Sequence, residues 1–314
     1  MENIRVSYII PVKNEEGTLQ ELYSKIKDVS ERLSLSFEII FIDDGSTDNS
    51  FEIMRNLSVL DKRVKIIKFR RNFGKASALS AGFEKANGEI IITMDADLQD
   101  DPKEIPEFLE KIEEGYDMVS GWKKNRRDPL SKRLPSKIFN KITSLLTGVK
   151  IHDFNCGFKA YRKEVIENID IYGELYRYIP ALVNSKGFRI GEIEVEHHPR
   201  VYGKSKYGFE RILKGFLDLI TVVFLTRFLR RPMHFFGGTG IVFFTLGFLI
   251  NLGLTIYKFV SGALIGGRPL LTLGVLLMIL GVQFLSIGLL GEMLNNITHG
   301  RKKDYSILEE IGFE

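Results

Sequence analysis

Over the first third of the chain, short apolar runs rich in β-branched residues alternate with longer stretches whose apolar positions recur at helical spacing. The runs are Val6–Val12, Phe37–Ile42, Val64–Phe69 and Glu89–Thr93. Each reads as a strand buried on both faces, with Pro11 ending the first. Between them, Thr18 opens an amphipathic helix carrying Leu19, Leu22, Ile26 and Val29 on one side, and a helix of small residues runs from Ala76 to Ala86. Strands alternating with helices predict a mostly parallel, doubly wound α/β sheet. Met118–Trp122 reads as a further strand. The strict alternation of Glu192-Ile193-Glu194-Val195-Glu196 suggests a half-exposed one.

The pattern then changes. Phe209, Ile212, Leu213, Phe216, Ile220 and Val223 repeat at helical spacing, with Glu210, Arg211, Lys214 and Asp218 on the other face. Such a helix suits the headgroup region of a bilayer. Phe235–Tyr257 and Pro269–Gly291 are each 23 residues without a formal charge, long enough to cross about 30 Å of hydrocarbon. Asn251 and Gln283 within them suggest interhelical hydrogen bonds. Gly240, Gly247, Gly274, Gly281 and Gly288 form small-residue stripes where backbones approach closely. The domain reading is therefore an α/β domain over 1–207, amphipathic helices over 208–232, a transmembrane hairpin over 233–293 and a tail over 294–314. Arg227, Arg230 and Arg231 before the first span, with Arg301, Lys302 and Lys303 after the second, outnumber Lys258 and Arg268 between them. The positive-inside rule predicts both termini and the α/β domain in the cytoplasm.

Composition adds little to this. A strand pattern follows Met1-Glu2-Asn3 directly, so no signal peptide is expected. A single cysteine, Cys156, excludes an internal disulfide. The net charge of +4 is modest and no nucleic-acid partner is expected.

The chemistry gathers where strands end, the place where open α/β sheets bind ligands. The fourth strand stops in Asp95-Ala96-Asp97-Leu98-Gln99-Asp100. Asp95, Asp97 and the amide of Gln99 are hard oxygen ligands suited to Mg²⁺ or Mn²⁺, with phosphate oxygens and water completing the shell. Asp43-Asp44-Gly45-Ser46-Thr47-Asp48 ends the second strand, with Asp48 as a cap or turn residue. Lys75 contacts a diphosphate or points to solvent. From Lys123 to Arg133, six of eleven residues are basic, a solvated or membrane-facing run in which a guanidinium is a natural partner for a phosphate monoester. Adjacent His197 and His198 point to opposite faces of a strand, which argues against a shared ion.

Pro11-x-x-Asn14-Glu15, Asp43 to Asp48, Asn72-x-Gly74 and Met94-Asp95-Ala96-Asp97-Leu98-Gln99, in this order, closely resemble the family 2 glycosyltransferases of GT-A fold. The resemblance is greatest to those acting on polyprenyl phosphate, the dolichyl-phosphate mannose synthases and bacterial undecaprenyl-phosphate glucosyltransferases. It implies a GT-A, Rossmann-like, mostly parallel sheet followed by interfacial helices and the hairpin. It implies nucleotide-sugar contacts from Pro11, Lys13, Glu15, Phe41, Asp43, Lys75, Asp95, Ala96, Arg200 and Lys206, where Lys13 departs from the aromatic residue of the mannosyl branch. Arg133 would hold the lipid phosphate, with Lys123 and Arg127 behind it. Asp153 would act as general base, orient the sugar or position a basic residue, while His152 is structural. Arg200 and Lys206 would neutralise the departing diphosphate.

The expected reaction is inverting transfer of a hexose, glucose from UDP-glucose first, onto polyprenyl phosphate. Catalytic roles fall to Asp97, Asp153 and Arg133, and a homo-oligomer is left open. A GDP-mannose donor is the first alternative. A processive polysaccharide synthase lacks support because no Q-x-x-R-W motif is present. A membrane-tethered nucleotide-sugar sensor without turnover is the non-enzymatic alternative.

Overall fold

The computed structural model describes residues 4–124, 130–171, 173, 175–198, 219–224, 228, 231–262, 264 and 266–299, except the side chains of 130–138 and 295–299. It divides into two compact units, Met1–Val222 and Val223–Glu314.

The first unit is built on a seven-stranded sheet. Its strands are β1 (Val6–Val12), β2 (Phe37–Asp43), β3 (Val64–Lys68), β4 (Ile90–Thr93), β5 (Met118–Trp122), β6 (Lys159–Arg162) and β7 (Ile190–Glu194), in the order β3-β2-β1-β4-β6-β5-β7. β1 to β4 are mutually parallel, β6 runs antiparallel to both of its neighbours, and β7 is parallel to β5. The sheet is thus mostly parallel, as the pattern predicts. β6 has no forerunner in the sequence reading, because its four residues are too few for a period to declare itself. The last strand begins two residues earlier than the Glu192–Glu196 alternation suggests. β1 also runs through Pro11. β4 flanks β1 only from Val6 to Ile9, so beyond that point β1 has β2 alone beside it and the missing proline N–H disrupts little.

Side-chain alternation loads both faces of the sheet. Val6, Tyr8, Ile10, Phe37, Ile39 and Phe41 pack with Leu19, Leu22 and Ile26 of α1 (Leu19–Arg32), with Met54 of α2 (Ser50–Leu60) and with Phe108 of α4 (Ile105–Glu113). On the other face, Ile9, Ile40, Ile42 and Ile91 meet Ala76, Ala78 and Leu79 of α3 (Lys75–Lys85). Small residues in α3 have a physical reason: a Cβ on Gly82 would come within 3.1 Å of the Ile42 Cδ1. α3 lies too close to the sheet for a larger side chain there. Also in this unit are α5 (Leu130–Thr147), α6 (Lys163–Glu167) and α7 (Ile179–Ser185).

The second unit contains α8 (Pro232–Ser261) and α9 (Pro269–His299). Both are long and apolar enough to cross a membrane, and most of their surface is exposed. The glycine stripes meet each other within this one chain. A Cβ on Gly240 would stand 2.7 Å from the Gly281 carbonyl oxygen, and one on Gly247 would strike the Gly274 carbonyl and come within 2.8 Å of the Met278 nitrogen. Asn251 bridges the helices as expected: with its amide oriented to match its neighbours, it donates to the Leu271 carbonyl (3.3 Å) and accepts from the Val275 N–H (3.2 Å). Replacing Gly247 by Leu is expected to force the helices apart at a cost of about 3 kcal/mol. The readout is a lower melting temperature of the full chain in detergent. The amphipathic stretch from Phe209 to Asp218 and the basic tail from Arg301 lie outside the described residues.

Candidate active site

Four loops leave the C-terminal ends of β1 to β4 and are tied together by their own polar side chains. Asn14, at φ 56°, takes a left-handed conformation that Asn tolerates better than most residues. Its N–H donates to the Ser46 hydroxyl (3.0 Å) and its side-chain oxygen accepts the Thr47 N–H (2.8 Å). Asp48 accepts the N–H groups of Ser50 (3.0 Å) and Glu16 (3.2 Å), the turn role expected of it. Asp44 accepts from Phe73 (2.6 Å) and Gly74 (3.0 Å), fastening the second loop to the third. The Lys13 ammonium donates to the carbonyls of Asp44 (3.2 Å) and Gly45 (2.8 Å). It therefore braces the loop pair. Asp43 is fully buried; its Oδ1 accepts the Ser46 N–H (2.8 Å), and its Oδ2 has no partner among the described residues.

The fourth loop carries the acids. Asp97 is 4% exposed and accepts the Gln99 N–H at 3.2 Å. Leu98 between them has φ 58°, an unfavourable conformation for a branched side chain, and such strain concentrates at functional turns. The Gln99 side-chain amide donates to the His198 carbonyl (3.5 Å), and the His198 N–H to the Gln99 carbonyl (3.2 Å). The segment leaving β7 is thereby stitched to the acidic turn.

Cations surround these acids. The Lys75 ammonium donates to the Asp95 Oδ1. The Asp95 N–H is held by Asp100 (3.4 Å), and buried Asp100 is paired with Lys123 at 2.7 Å. Lys159 is 3% exposed and donates to the carbonyls of Phe154 (3.4 Å) and Cys156. Burial would raise the Asp95 pKa, but Lys75, then Lys123 and Lys159, hold it below the ordinary carboxylate value. Burial would likewise lower Lys75, and Asp95 outweighs it so that the ammonium is favoured. At Lys159 burial dominates and the pKa falls. Burial pushes the Cys156 thiol up to about 12, so it stays protonated.

Asp153 is 2% exposed and sits in a turn where its Oδ1 accepts the Asn155 N–H (3.1 Å). Glu192 fixes that turn by accepting the N–H groups of His152 (2.8 Å) and Asp153 (3.2 Å). His152 stacks on Trp122 with ring centroids 4.0 Å apart and meets the other Glu192 oxygen at 2.7 Å. This supports the structural role expected of it. Glu104 is caught under the strand exit, its Oε1 accepting the Glu196 N–H at 2.6 Å and its Oε2 buried without a partner among the described residues. Burial, reinforced by Asp101 and Asp100, pushes its pKa up to about 7. A carboxyl whose folded pKa is raised adds stability when protonated, and loses it as pH climbs from the unfolded value through about 7. Glu104→Gln is therefore expected to stabilise the protein by about 1 kcal/mol at pH 8 and hardly at all at pH 5. Thermal melting at the two pH values measures this.

Several expected site residues stand elsewhere than anticipated. Phe41 is 0% exposed in the core beneath α1 and has no side-chain surface to offer a nucleotide. The Ala96 methyl is also buried, so that residue can contribute only backbone. Lys123 serves Asp100 from inside the domain instead of standing free for a phosphate. Pro11 and Glu15 are half-buried at the rim. Arg127, Arg200, Lys206 and the side chain of Arg133 lie outside the described residues. Asp100, Lys159, Glu192 and Trp122 were missed as site residues. Lys159 gave one usable signal, a lone cation inside the apolar run Phe158 to Tyr161.

Known proteins resolve the class. The glycosyl transferase family 2 profile matches residues 7–170, and the chain belongs to that family. As a member of it the protein is a glycosyltransferase. Along nearly its whole length it is similar to enzymes named for transfer to polyprenyl phosphates. A dodecaprenyl-phosphate galacturonate synthase of Rhizobium johnstonii is 39% identical over 299 residues, 94% of this chain and 88% of that one. An undecaprenyl-phosphate 4-deoxy-4-formamido-L-arabinose transferase of Aeromonas hydrophila is 36% identical over 294 residues, 93% and 89% of the two chains. Neither named sugar is glucose, so these relatives lend the expected UDP-glucose donor no support. The fold also matches a glucosyl-3-phosphoglycerate synthase from Mycobacterium tuberculosis, solved with Mn²⁺ and UDP-glucose, at TM-score 0.54 and 16% identity, covering 71% of this chain and 79% of that one.

Proposed function

We propose that this protein transfers a sugar from a nucleoside-diphosphate sugar to the phosphate of a polyprenyl lipid at a membrane surface, with inversion at the anomeric carbon. The observation that carries the reading is the acidic turn at the end of β4, where Asp95 and Asp97 stand with Lys75 against the first of them. An acceptor phosphate oxygen attacks the anomeric carbon as the bond from that carbon to the diphosphate breaks, and the nucleoside diphosphate leaves. No general base is required, because a phosphate monoester with a second pKa of about 6 is mostly dianionic at neutral pH. Asp153, locked in its turn, is then suited to fix the sugar. Asp43, whose buried Oδ2 has no partner among the described residues, can accept from a base or ribose donor. Lys75, Arg200 and Lys206 would balance the charge of the leaving group, and Arg133 would receive the acceptor phosphate.

The donor set suits Mg²⁺ or Mn²⁺. Two carboxylates come from one turn, Asp95 is 37% exposed, and no three His, Cys, Asp or Glu side chains cluster as a self-sufficient cage among the described residues. That leaves coordination positions for phosphate oxygens and water, as Mg²⁺ prefers. Bound there by Asp95, Asp97 and Gln99, the ion would withdraw charge from the diphosphate.

Membrane attachment through α8 and α9 fits an acceptor that itself cannot leave the bilayer cheaply, at about 0.8 kcal/mol per buried methylene. The arginines preceding α8 support a cytoplasmic catalytic domain. The names of the relatives make a modified sugar, a uronic acid or an amidated pentose, the first donor to try, with UDP-glucose and GDP-mannose as comparisons. The test is purified full-length protein in detergent with undecaprenyl phosphate, Mg²⁺ or Mn²⁺ and each labelled donor in turn. Organic-extractable label supports transfer to lipid. Insoluble polymer would indicate a processive synthase, and donor binding without product a sensor.

A further inference from the structure

We propose that Lys75 competes with the divalent cation for Asp95, so that a bare cation binds poorly and a cation arriving with a diphosphate binds well. The inference rests on the metal-assisted reading above. Its basis is the placing of three ammonium groups. Lys123 is committed to Asp100, and Lys159 to the carbonyls of Phe154 and Cys156. Lys75 instead holds Asp95 itself, with 28% of its side chain exposed. Lys75, Lys123 and Lys159 face the carboxylates of Asp95, Asp100 and Asp153, which offsets much of the negative charge beside Asp95. A bare dication arriving there meets a reduced negative charge and must also displace an ammonium. A dication bound to a nucleoside diphosphate carries net negative charge and offers that ammonium a new partner.

Lys75 is built for such a transfer. It is the first residue of α3, where the helix dipole disfavours a cation and favours an anion. An ammonium there gains from any anionic partner, Asp95 before the substrate arrives and phosphate afterwards. Lysine is also a compact charge on a flexible stem, able to change partners without moving the backbone. The Tyr176 ring, 5.6 Å from the ammonium, gives the departing charge a favourable face to pass. Lys75 thus makes cation and diphosphate binding cooperative, and linkage requires that each strengthen the other by the same factor.

The experiment is Mn²⁺ binding to the full-length protein in detergent, followed by the electron paramagnetic resonance signal of free Mn²⁺, with and without UDP. Pyrophosphate runs in parallel as a probe lacking the base. In the unaltered protein UDP is expected to tighten Mn²⁺ binding on the order of tenfold or more. Lys75→Gln should bind Mn²⁺ alone on the order of tenfold more tightly and lose most of the enhancement. Lys75→Arg, which keeps the charge, should keep the weak binding of Mn²⁺ alone that Lys75→Gln loses, and Lys75→Met serves if the glutamine variant does not fold. Mn²⁺ that binds with UDP but is indifferent to Lys75→Gln overturns this inference alone. No Mn²⁺ binding even with UDP overturns it together with the metal assignment.

Discussion

Asp97→Asn is expected to abolish sugar transfer, by a factor of about 10³ or more, while leaving the protein folded. Removing one group that stabilises developing charge in a dry site typically costs about 10²–10³. A cation ligand contributes to binding as well as to charge withdrawal, which places this variant at the upper end. Folding should survive because asparagine has the same shape, and its side-chain oxygen can still accept the Gln99 N–H that Asp97 accepts at 3.2 Å. The side chain is 4% exposed, so a neutral amide is no harder to bury than the carboxylate it replaces. Two measurements are needed together, organic-extractable label from a radiolabelled donor and the melting curve of the purified variant. A folded variant retaining a tenth or more of normal turnover would end the assignment of Asp97 to the cation.

Gly157→Ala is expected to lower turnover about 100-fold with little effect on stability. A Cβ on Gly157 would stand 2.7 Å, 2.9 Å and 3.0 Å from the Oδ2, Cγ and Oδ1 of Asp95. All three contacts are with the mobile end of one side chain, so the clash is relieved by turning the carboxylate aside. The fold loses little, whereas displacement of a reacting group by about 1 Å can cost 10²-fold. Gly157 is held in place by its carbonyl, which accepts the Thr93 hydroxyl at 2.9 Å, so the loop cannot easily retreat instead. The signature is a normal melting temperature, reduced turnover, and a higher Mn²⁺ concentration for half-maximal rate. A loss of melting temperature matching the loss of activity would show that Gly157 serves packing alone.

The two positions differ in how much of them a sequence can show. Asp97 was legible because it sits in a dense local motif at the end of an obvious strand. Gly157 was not, since its importance comes from an approach to Asp95 across 62 positions of chain. Lys123 failed for a related reason. Inside a run of six cations nothing local distinguishes the one whose ammonium turns inward to a buried Asp100. Resemblance places Phe41 at the nucleotide, yet strand alternation sends it to the α1 face with Tyr8 and Ile39. That periodicity was available in the sequence, and it was the better guide.

The chain alone determined the parallel β1 to β4 sheet, the acidic turn at its rim, the amphipathic face of α1 and the two apolar helices, because each is written in residues near one another and obeys a fixed backbone period. Only the tertiary structure decided that β6 inserts antiparallel between β4 and β5, that the glycine stripes of α8 and α9 meet each other, and which lysines face which acids. Those outcomes depend on which distant groups come within a few ångströms once the core closes, and no local period encodes them.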